Sequence, residues 1–349
     1  MINKKKYPLV SVLIPNYNYE KYLKQCLDSV LNQTYPNYEV IFRDNNSSDN
    51  SYELALSYIP KFAEKNIFFS VIRNKYNVGS FANSCKCSEE SEGDYIIYLS
   101  SDDYLENTFI EKCMKILIEN NNIGMVMTHR NEVDEYGNIH KTPSFYNKSC
   151  IVYGEAQAGV FMMAGIAVPS QIVYKKGILK KIEPFLLSLQ VAGDWCQNFL
   201  FACFSDIAYI KEPLCNYRIH TGNETNLSEE NLIGIFEHYQ LINYFLKLGK
   251  QFKYNKVIER YDEAVKKLGS MCLRYALKFF KANKKEIANK YLLLAEIFDI
   301  KILNNVYYIK MKNWLELSED ELIEIVKNEP EIKRVISYNP PKECKEIIV

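Results

Sequence analysis

Asp102 and Asp103 stand side by side at the end of the apolar run Tyr95-Ile96-Ile97-Tyr98-Leu99-Ser100-Ser101. The run reads as a buried strand. Adjacent acids repel each other, and they are least costly where a divalent cation, or the diphosphate it escorts, needs them. Asp-Asp pairs also serve as turn formers and caps, so position matters: ligands of open α/β sheets bind at the carboxyl ends of strands. Asp44 follows another apolar strand and opens the loop Asp44-Asn45-Asn46-Ser47-Ser48-Asp49, placed to accept hydrogen bonds from the edge of a base or from ribose. Asp49 in that loop reads equally as a helix N-cap. Pro15-Asn16-Tyr17-Asn18 offers a floor beside a base, the alternative being a plain strand-to-helix turn. Asn77-Val78-Gly79, with Asn83, marks a third such passage. Gly79 there permits a close backbone approach or a positive φ beside a phosphate or sugar.

These residues need a scaffold, and the first hundred positions supply one. Apolar runs at 9–14, 38–42, 68–72 and 95–100 predict four strands, the first stopped by Pro15. Residues 19–33, 50–62 and about 80–90 predict the intervening helices, with Tyr19, Tyr22, Leu23, Cys26, Leu27, Val30 and Leu31 at helical spacing in the first. This alternation calls for a parallel sheet with right-handed crossovers. Further on, a helix over 106–120, a strand over 124–128 and a hairpin about Gly137 are predicted. The small, apolar stretch 154–168 reads as a flexible loop over a site, followed by a strand over 171–174. Periodicity from Asn226 onward is mainly helical, with Ser228 and Ser318 as candidate caps; Ser318 has Glu321 for a full capping box. The expected domains are therefore 1–225 and an all-helical 226–349. Residues 273–298 form a single helical-hairpin unit, read as bundle packing rather than a repeat array.

The 349 residues include 43 basic and 43 acidic side chains. This balance gives no global field for nucleic acid. No apolar run approaches the length of a membrane span, and the N-terminus lacks a signal-type apolar core. Ten cysteines without paired C-x-x-C spacing read as reduced thiols in a cytoplasmic chain, not as a zinc site.

Taken in order and spacing, Val10-Ser11-Val12-Leu13-Ile14-Pro15-Asn16-Tyr17-Asn18, the Asp44–Asp49 loop, Asn77-Val78-Gly79 and Leu99-Ser100-Ser101-Asp102-Asp103 resemble the family 2 glycosyltransferases of GT-A fold. The likeness covers about residues 8–220. It implies a Rossmann-like α/β domain with a mainly parallel sheet that binds a nucleotide-sugar. By resemblance, Asp44 contacts the nucleobase, most often uracil. Asp102 matches the last acid of a D-x-D motif that holds Mn2+ or Mg2+ on the donor diphosphate, with Asp103 in support. Asp194, in Gly193-Asp194-Trp195, matches the general base. In Tyr217-Arg218-Ile219-His220, Arg218 and His220 would face the diphosphate or metal, His220 having a core histidine as its alternative. The implied donor site thus gathers Pro15, Asn16, Tyr17, Asp44, Asn77, Gly79, Ser101, Asp102 and Arg218, and the metal site Asp102, Asp103 and His220. Two departures stand out: Ser100 replaces the first acid of D-x-D, and Gly193 the first acid of a Glu-Asp pair. Asn45 replaces the second acid of the family's base-binding loop.

The resulting expectation is an inverting, metal-dependent hexosyltransferase. It would move a sugar from a UDP-linked hexose or N-acetylhexosamine onto a hydroxyl of a surface glycan, lipid-linked in one version. A peptide or protein acceptor, and an inactive nucleotide-sugar-binding relic, are the alternatives. Lysine- and aromatic-rich pieces at 244–247 and 278–285 raise peripheral contact with the inner face of the membrane and a homodimer through the helical region, against the preferred reading of a packed helix with a solvated lysine face.

Overall fold

The computed structural model describes residues 6–220, 228–332 and 339–349. Strands β1 (Val10–Asn16), β2 (Tyr38–Asp44), β3 (Phe68–Arg73) and β4 (Tyr95–Tyr98) alternate with helices α1 (Glu20–Leu31), α2 (Ser51–Leu56), α3 (Ile59–Glu64) and α4 (Ser80–Glu90). β1 lies between β2 and β4 and runs parallel to both, while β2 is parallel to β3. The strand order therefore reverses at β1, which opens a crevice at the carboxyl ends of β1, β2 and β4.

The chain continues through β5 (Tyr104–Leu105), α5 (Phe109–Glu119), β6 (Ile123–Val133), β7 (Ile139–His140), β8 (Cys150–Val152), α6 (Gly154–Phe161), β9 (Ile172–Lys175), α7 (Lys176–Ile182), α8 (Gly193–Phe204) and β10 (Asp206–Arg218). β9 joins β4 to β6 by antiparallel pairing, and β10 runs parallel to β6. The tail comprises α9 (Ile233–Phe252), α10 (Asn255–Ile258), α11 (Tyr261–Lys281), α12 (Lys285–Phe298), α13 (Val306–Trp314), α14 (Glu319–Lys327) and β11 (Cys344–Glu346). The sheet order is β11-β8-β10-β6-β9-β4-β1-β2-β3, mixed and mostly parallel, as the sequence reading expects.

Several elements depart from expectation for local reasons. Pro15 does not stop β1, which continues to Asn16 in register with Asp44. The single helix expected over 50–62 is two, because Pro60 lacks an N–H and fits only in a first turn, where α3 restarts. The expected loop over 154–168 begins instead as the buried helix α6 on α8, and only 162–168 is irregular. A helix buried around most of its circumference, with the polar Gln157 among its buried residues, lacks the one-faced apolar pattern that reveals surface helices. Gly154 makes the packing possible, since a Cβ there would lie 2.3 Å from the Ala202 carbonyl oxygen. The hairpin about Gly137 (φ +92°) and the Ser318–Glu321 capping box form as expected, whereas α9 is entered through Asn231, whose side chain accepts the Ile233 N–H.

The expected boundary at 225/226 falls outside the described residues. The tail is not wholly helical, since β11 pairs with β8 at the edge of the sheet. Nor does it have a separate core. One apolar cluster joins Tyr174, Phe199 and Phe201 of the N-terminal α/β part to Phe245, Phe280 and Tyr291 of the tail. The Phe199 and Phe245 rings stack at 3.8 Å. Burying one such ring contributes roughly 1.5–3 kcal/mol, so the tail is part of the same folding unit. The lysine run near 280 is tied to acids: Lys278 to Glu229, Lys281 to Glu331 and Lys284 to Glu230. Its aromatics Phe279 and Phe280 are buried. All ten cysteines are unpaired, and among the described residues no helix is long and apolar enough to cross a membrane.

Candidate active site

At the ends of β1 and β2, Asn16 and Asp44 are register partners. Asn16 Nδ2 donates to Asp44 Oδ1 at 3.0 Å, and the Ser47 N–H donates to Asp44 Oδ2 at 2.9 Å. The Ser47 hydroxyl also donates to Asp44, and Arg73 Nε lies 3.5 Å from Oδ2. Asp44 is fully buried. Its carboxylate shapes the 44–48 loop from within, so the group that sequence singled out for the base is enclosed here by its own chain. Asn45, which stands where the family's base-binding loop has its second acid, links this loop to the next. Its side chain accepts from Asn74 Nδ2 (2.9 Å) and the Val78 N–H (3.0 Å) and donates to Asn77 Oδ1 (2.8 Å). Asn77 also accepts the Gly79 N–H, and Gly79 (φ +87°) has nothing within 4 Å of a would-be Cβ. Tyr17 is exposed beside these loops, while Asn16 Oδ1 is buried without a partner. Asp49 is a cap: its carboxylate accepts the N–H groups of Glu20 and Ser51, opening both α1 and α2.

Beyond β4 the chain turns through Ser100 and Ser101 to the paired acids. Ser100 is exposed and held by its N–H donating to Ser170 Oγ, whereas the Ser101 hydroxyl is buried without a partner. Asp102 Oδ2 lies 3.1 Å from His220 Nε2, and the imidazole packs against Tyr19 and Tyr22. These two side chains meet across 118 residues because β5, directly after the acids, pairs with β10, which ends two residues before His220.

Asp103 and Arg218 differ from expectation. Asp103 turns inward, where Oδ1 accepts the Arg218 N–H at 2.8 Å. Burial, and then the charge of Asp102, push its carboxyl well above the usual range. Arg218 is buried, and each guanidinium nitrogen donates within the protein: Nε to the Asp102 carbonyl, Nη1 to the Asp134 carbonyl and Nη2 to Gln25 Oε1. Its face covers Tyr22 at 4.5 Å. A buried cation needs its donors satisfied, and these contacts tie Arg218 to the Asp102–Asp103 corner. Of the three residues expected to hold a metal, Asp102 and His220 face each other at 3.1 Å, whereas Asp103 turns away toward the Arg218 backbone. Among the described residues no group of three or more His, Cys, Asp or Glu could enclose a metal. One carboxylate and one imidazole nevertheless suit a divalent cation whose remaining ligands are phosphate oxygens and water.

Asp194 sits in the first turn of α8, half-buried, with Oδ1 accepting the Trp195 N–H at 2.7 Å. Burial pushes its carboxyl up to about 6 against the opposing charge of Arg130. Gly193 beside it has open space where a side chain would be. Asp194 faces a cavity of about 380 Å³ between the catalytic half and the tail, which Arg130, Gln171 and Trp195 also line. Three N–H groups just before α8, those of Gln190, Val191 and Ala192, donate to the Glu237 carboxylate of α9 at 2.6, 2.9 and 3.0 Å. The tail thus sets where Asp194 stands.

The sequence carries the same likeness beyond its motifs. The family model for glycosyl transferase family 2 matches residues 11–182. An uncharacterised glycosyltransferase of Methanocaldococcus jannaschii is 31% identical over 247 residues, covering 69% of this chain and 81% of that one. The chain belongs to glycosyl transferase family 2. An uncharacterised glycosyltransferase of Haemophilus influenzae is 39% identical over 124 residues, 36% of this chain, and the match spans about half (47%) of that relative. Among solved structures, S. aureus TarS 1-349 in complex with UDP-GlcNAc superposes with TM-score 0.55 at 16% identity, covering 82% of this chain and 91% of that one. The mannosyltransferase PcManGT of Pyrobaculum calidifontis, in complex with GDP-Man and Mn2+, gives 0.51 at 14% identity, covering 92% and 86%. These neighbours establish the GT-A fold.

In this family 2 glycosyltransferase, Arg130 ties the two acidic centres together, and no motif pointed to it. It donates to Gln171 Oε1 at 2.7 Å and lies on Tyr217 at 4.6 Å. Its charge acts on both Asp194 and Asp103. Gln171, Gln25, Tyr22 and Glu237 were likewise unmarked. The one available signal was placement on β6, whose unexpectedly long course to Val133 brings Arg130 opposite Cys215 of β10.

Proposed function

We propose that this chain transfers a hexose or N-acetylhexosamine from a UDP-linked donor to a hydroxyl of a surface-glycan acceptor, with inversion at the anomeric carbon. The observation that carries the reading is Asp194: a half-buried carboxylate pushed up to about 6, opening on a cavity lined by Arg130, whose charge also reaches Asp103. A carboxylate with its pKa near working pH is a competent general base.

In this reading Asp194 takes the proton of the acceptor hydroxyl as that oxygen bonds to the anomeric carbon. The bond from that carbon to the diphosphate oxygen breaks with its electron pair leaving on the diphosphate, and attack from the opposite face inverts the centre. Asp102 and His220 would hold Mn2+ or Mg2+, which when bound supplies Lewis-acid neutralisation of the leaving diphosphate. Tyr17, Asn77, Gly79 and Ser101 form the rest of the donor surface around the β1–β4 crevice. Asp44 and Asn45 shape its base end, and Arg218 and Asp103 brace its diphosphate end. The reading places the reaction in the cytoplasm; Lys278, Lys281 and Lys284 pair with acids, and Lys285 donates to the carbonyls of Leu315 and Leu317.

A thermal-shift screen of nucleotide-sugars with and without Mn2+ tests the donor, because a ligand that binds only the folded state raises the melting temperature by mass action. Stabilisation by UDP-sugars that depends on the metal is the expected result; no response to any nucleotide-sugar overturns the reading. Product configuration by NMR then tests inversion.

A further inference from the structure

The deep end of the cavity that Asp194 faces is built by two helices of the tail. α9 contributes His238 and Ile242, four residues apart on one face, and α11 contributes Ala264 and Leu268 at the same spacing. Ile242, Ala264 and Leu268 are almost fully buried, so this end of the lining is apolar. His238 interrupts it. Its Nδ1 is buried without a partner, and among the described residues the imidazole makes no hydrogen bond. Burial pushes the ring down to about 4, against the opposing charge of Glu237. At neutral pH it is therefore uncharged, with one nitrogen to donate and the other to accept. A buried polar group without a partner is costly and rare, and a ligand that supplies the partner removes the cost. Two contacts fix the place of His238 relative to Asp194. Its ring meets the Trp195 ring edge-on at 5.1 Å, and Trp195, next to Asp194 in the chain, is itself anchored by donating Nε1 to the Phe161 carbonyl at 2.6 Å. Glu237, the residue before His238, holds the N–H groups of residues 190–192. Lys267 and Arg274 also line the cavity, and both are engaged within the protein.

We infer that this end of the cavity is an acceptor subsite for an acetamido group, and that through His238 the tail selects an acceptor ending in an N-acetylhexosamine. The inference rests on the reading of Asp194 as the base that faces the acceptor hydroxyl: an acceptor seated there extends past Trp195 to His238. An acetamido group matches both features of the recess, since its methyl rests on Ile242, Ala264 and Leu268 while its amide exchanges a hydrogen bond with the neutral ring. A bare hydroxyl satisfies the imidazole but leaves the apolar wall unmatched. A carboxylate or phosphate would sit beside an uncharged ring and apolar side chains, where an ion is costly.

The chain has two tryptophans. Trp314 is buried edge-on to Phe280, so Trp314→Phe keeps a ring there and leaves Trp195, in contact with His238, as the sole reporter. The full-length variant is titrated with N-acetylglucosamine, N-acetylgalactosamine, glucose and galactose, with and without saturating UDP and Mn2+, while Trp195 emission is followed. With UDP present, at least one N-acetylhexosamine should bind saturably and roughly tenfold or more tighter than its parent hexose, since a hydrogen bond and a buried methyl distinguish the two. Adding His238→Phe keeps a ring against Trp195 and removes the unpartnered nitrogen, so its melting temperature should equal or exceed that of the parent. It should cut the preference for the acetamido sugar about fivefold, the share of one hydrogen bond, with UDP affinity unchanged. Equal affinities for the N-acetylhexosamines and their parent hexoses, no saturable binding of any probe, or a preference that His238→Phe leaves intact overturns the inference. Failure of the base reading is a separate outcome: the acetamido sugars bind through His238, yet Asp194→Asn keeps its turnover.

Discussion

Replacing Asp194 by Asn separates its chemistry from its cost to the fold. Its carboxyl is pushed up to about 6 from the ordinary aspartate value of 3.8. The shift is upward, so ionisation above pH 4 favours the unfolded chain, which loses this proton more readily. A difference of about 2 pKa units corresponds to roughly 3 kcal/mol of destabilisation above pH 7 and about half that at pH 5, fading below pH 4. The side chain is only half-buried, and solvent screening makes this figure a ceiling. Asp194→Asn keeps an oxygen for the Trp195 N–H and removes the charge. Denaturant titrations should therefore show the variant to be more stable by up to about 3 kcal/mol at pH 8, with a smaller gain at pH 5. Turnover should fall by about 10²–10⁴, the usual contribution of a general base. In the wild type, kcat/KM should rise through an apparent pKa near 6, the value given by burial. A variant that keeps most of its turnover, or that gains no stability at pH 8, refutes the reasoning.

Glu237→Ala removes the acceptor for three N–H groups. At about 1 kcal/mol or more for each donor left unmade, stability should drop by roughly 3 kcal/mol, and kcat should fall while donor KM holds; a stability loss with unchanged kcat would show that the clamp does not position Asp194. Asp102→Asn and His220→Gln should each weaken Mn2+-dependent UDP binding about tenfold or more in calorimetry while leaving metal-free binding alone, and equal losses in both conditions would remove them from the metal site. Gly93→Ala brings a Cβ within 2.5 Å of Ser11 Oγ and 2.8 Å of the Ser11 backbone nitrogen. Such overpacking costs on the order of 1–3 kcal/mol, readable as a lower melting temperature without change in donor affinity.

The alternating strands and helices, the crevice at the strand ends and the loops around it were legible because each rests on a local pattern. Apolar runs of strand length, the one-faced spacing of α1 and the loop chemistry of Asn and Asp need no distant partner to be recognised. The buried helix α6 was not legible, since its small residues and buried Gln157 give it no one-sided apolar pattern, and neither was β11, three residues with no apolar alternation. Within the site, Asp102, Asp194 and His220 stood out by type and motif. The tasks of their neighbours did not: Asp44, Asp103 and Arg218 carry the right charges but turn them inward, because burial makes a charged group satisfy itself on whatever surrounds it. Asn45, Arg130 and Glu237 showed no signal, since their partners are, respectively, a neighbouring loop, a parallel strand and the segment just before a helix more than 40 residues away.

The sequence alone determined the kind of fold, the strand ends at which chemistry would occur and the acids that could perform it, because propensity, periodicity and turn chemistry act over a few residues. Only the tertiary structure decided which of those acids face the crevice and which brace it. Orientation, burial and field depend on contacts between segments up to 118 residues apart, and no local pattern encodes the energy of such contacts.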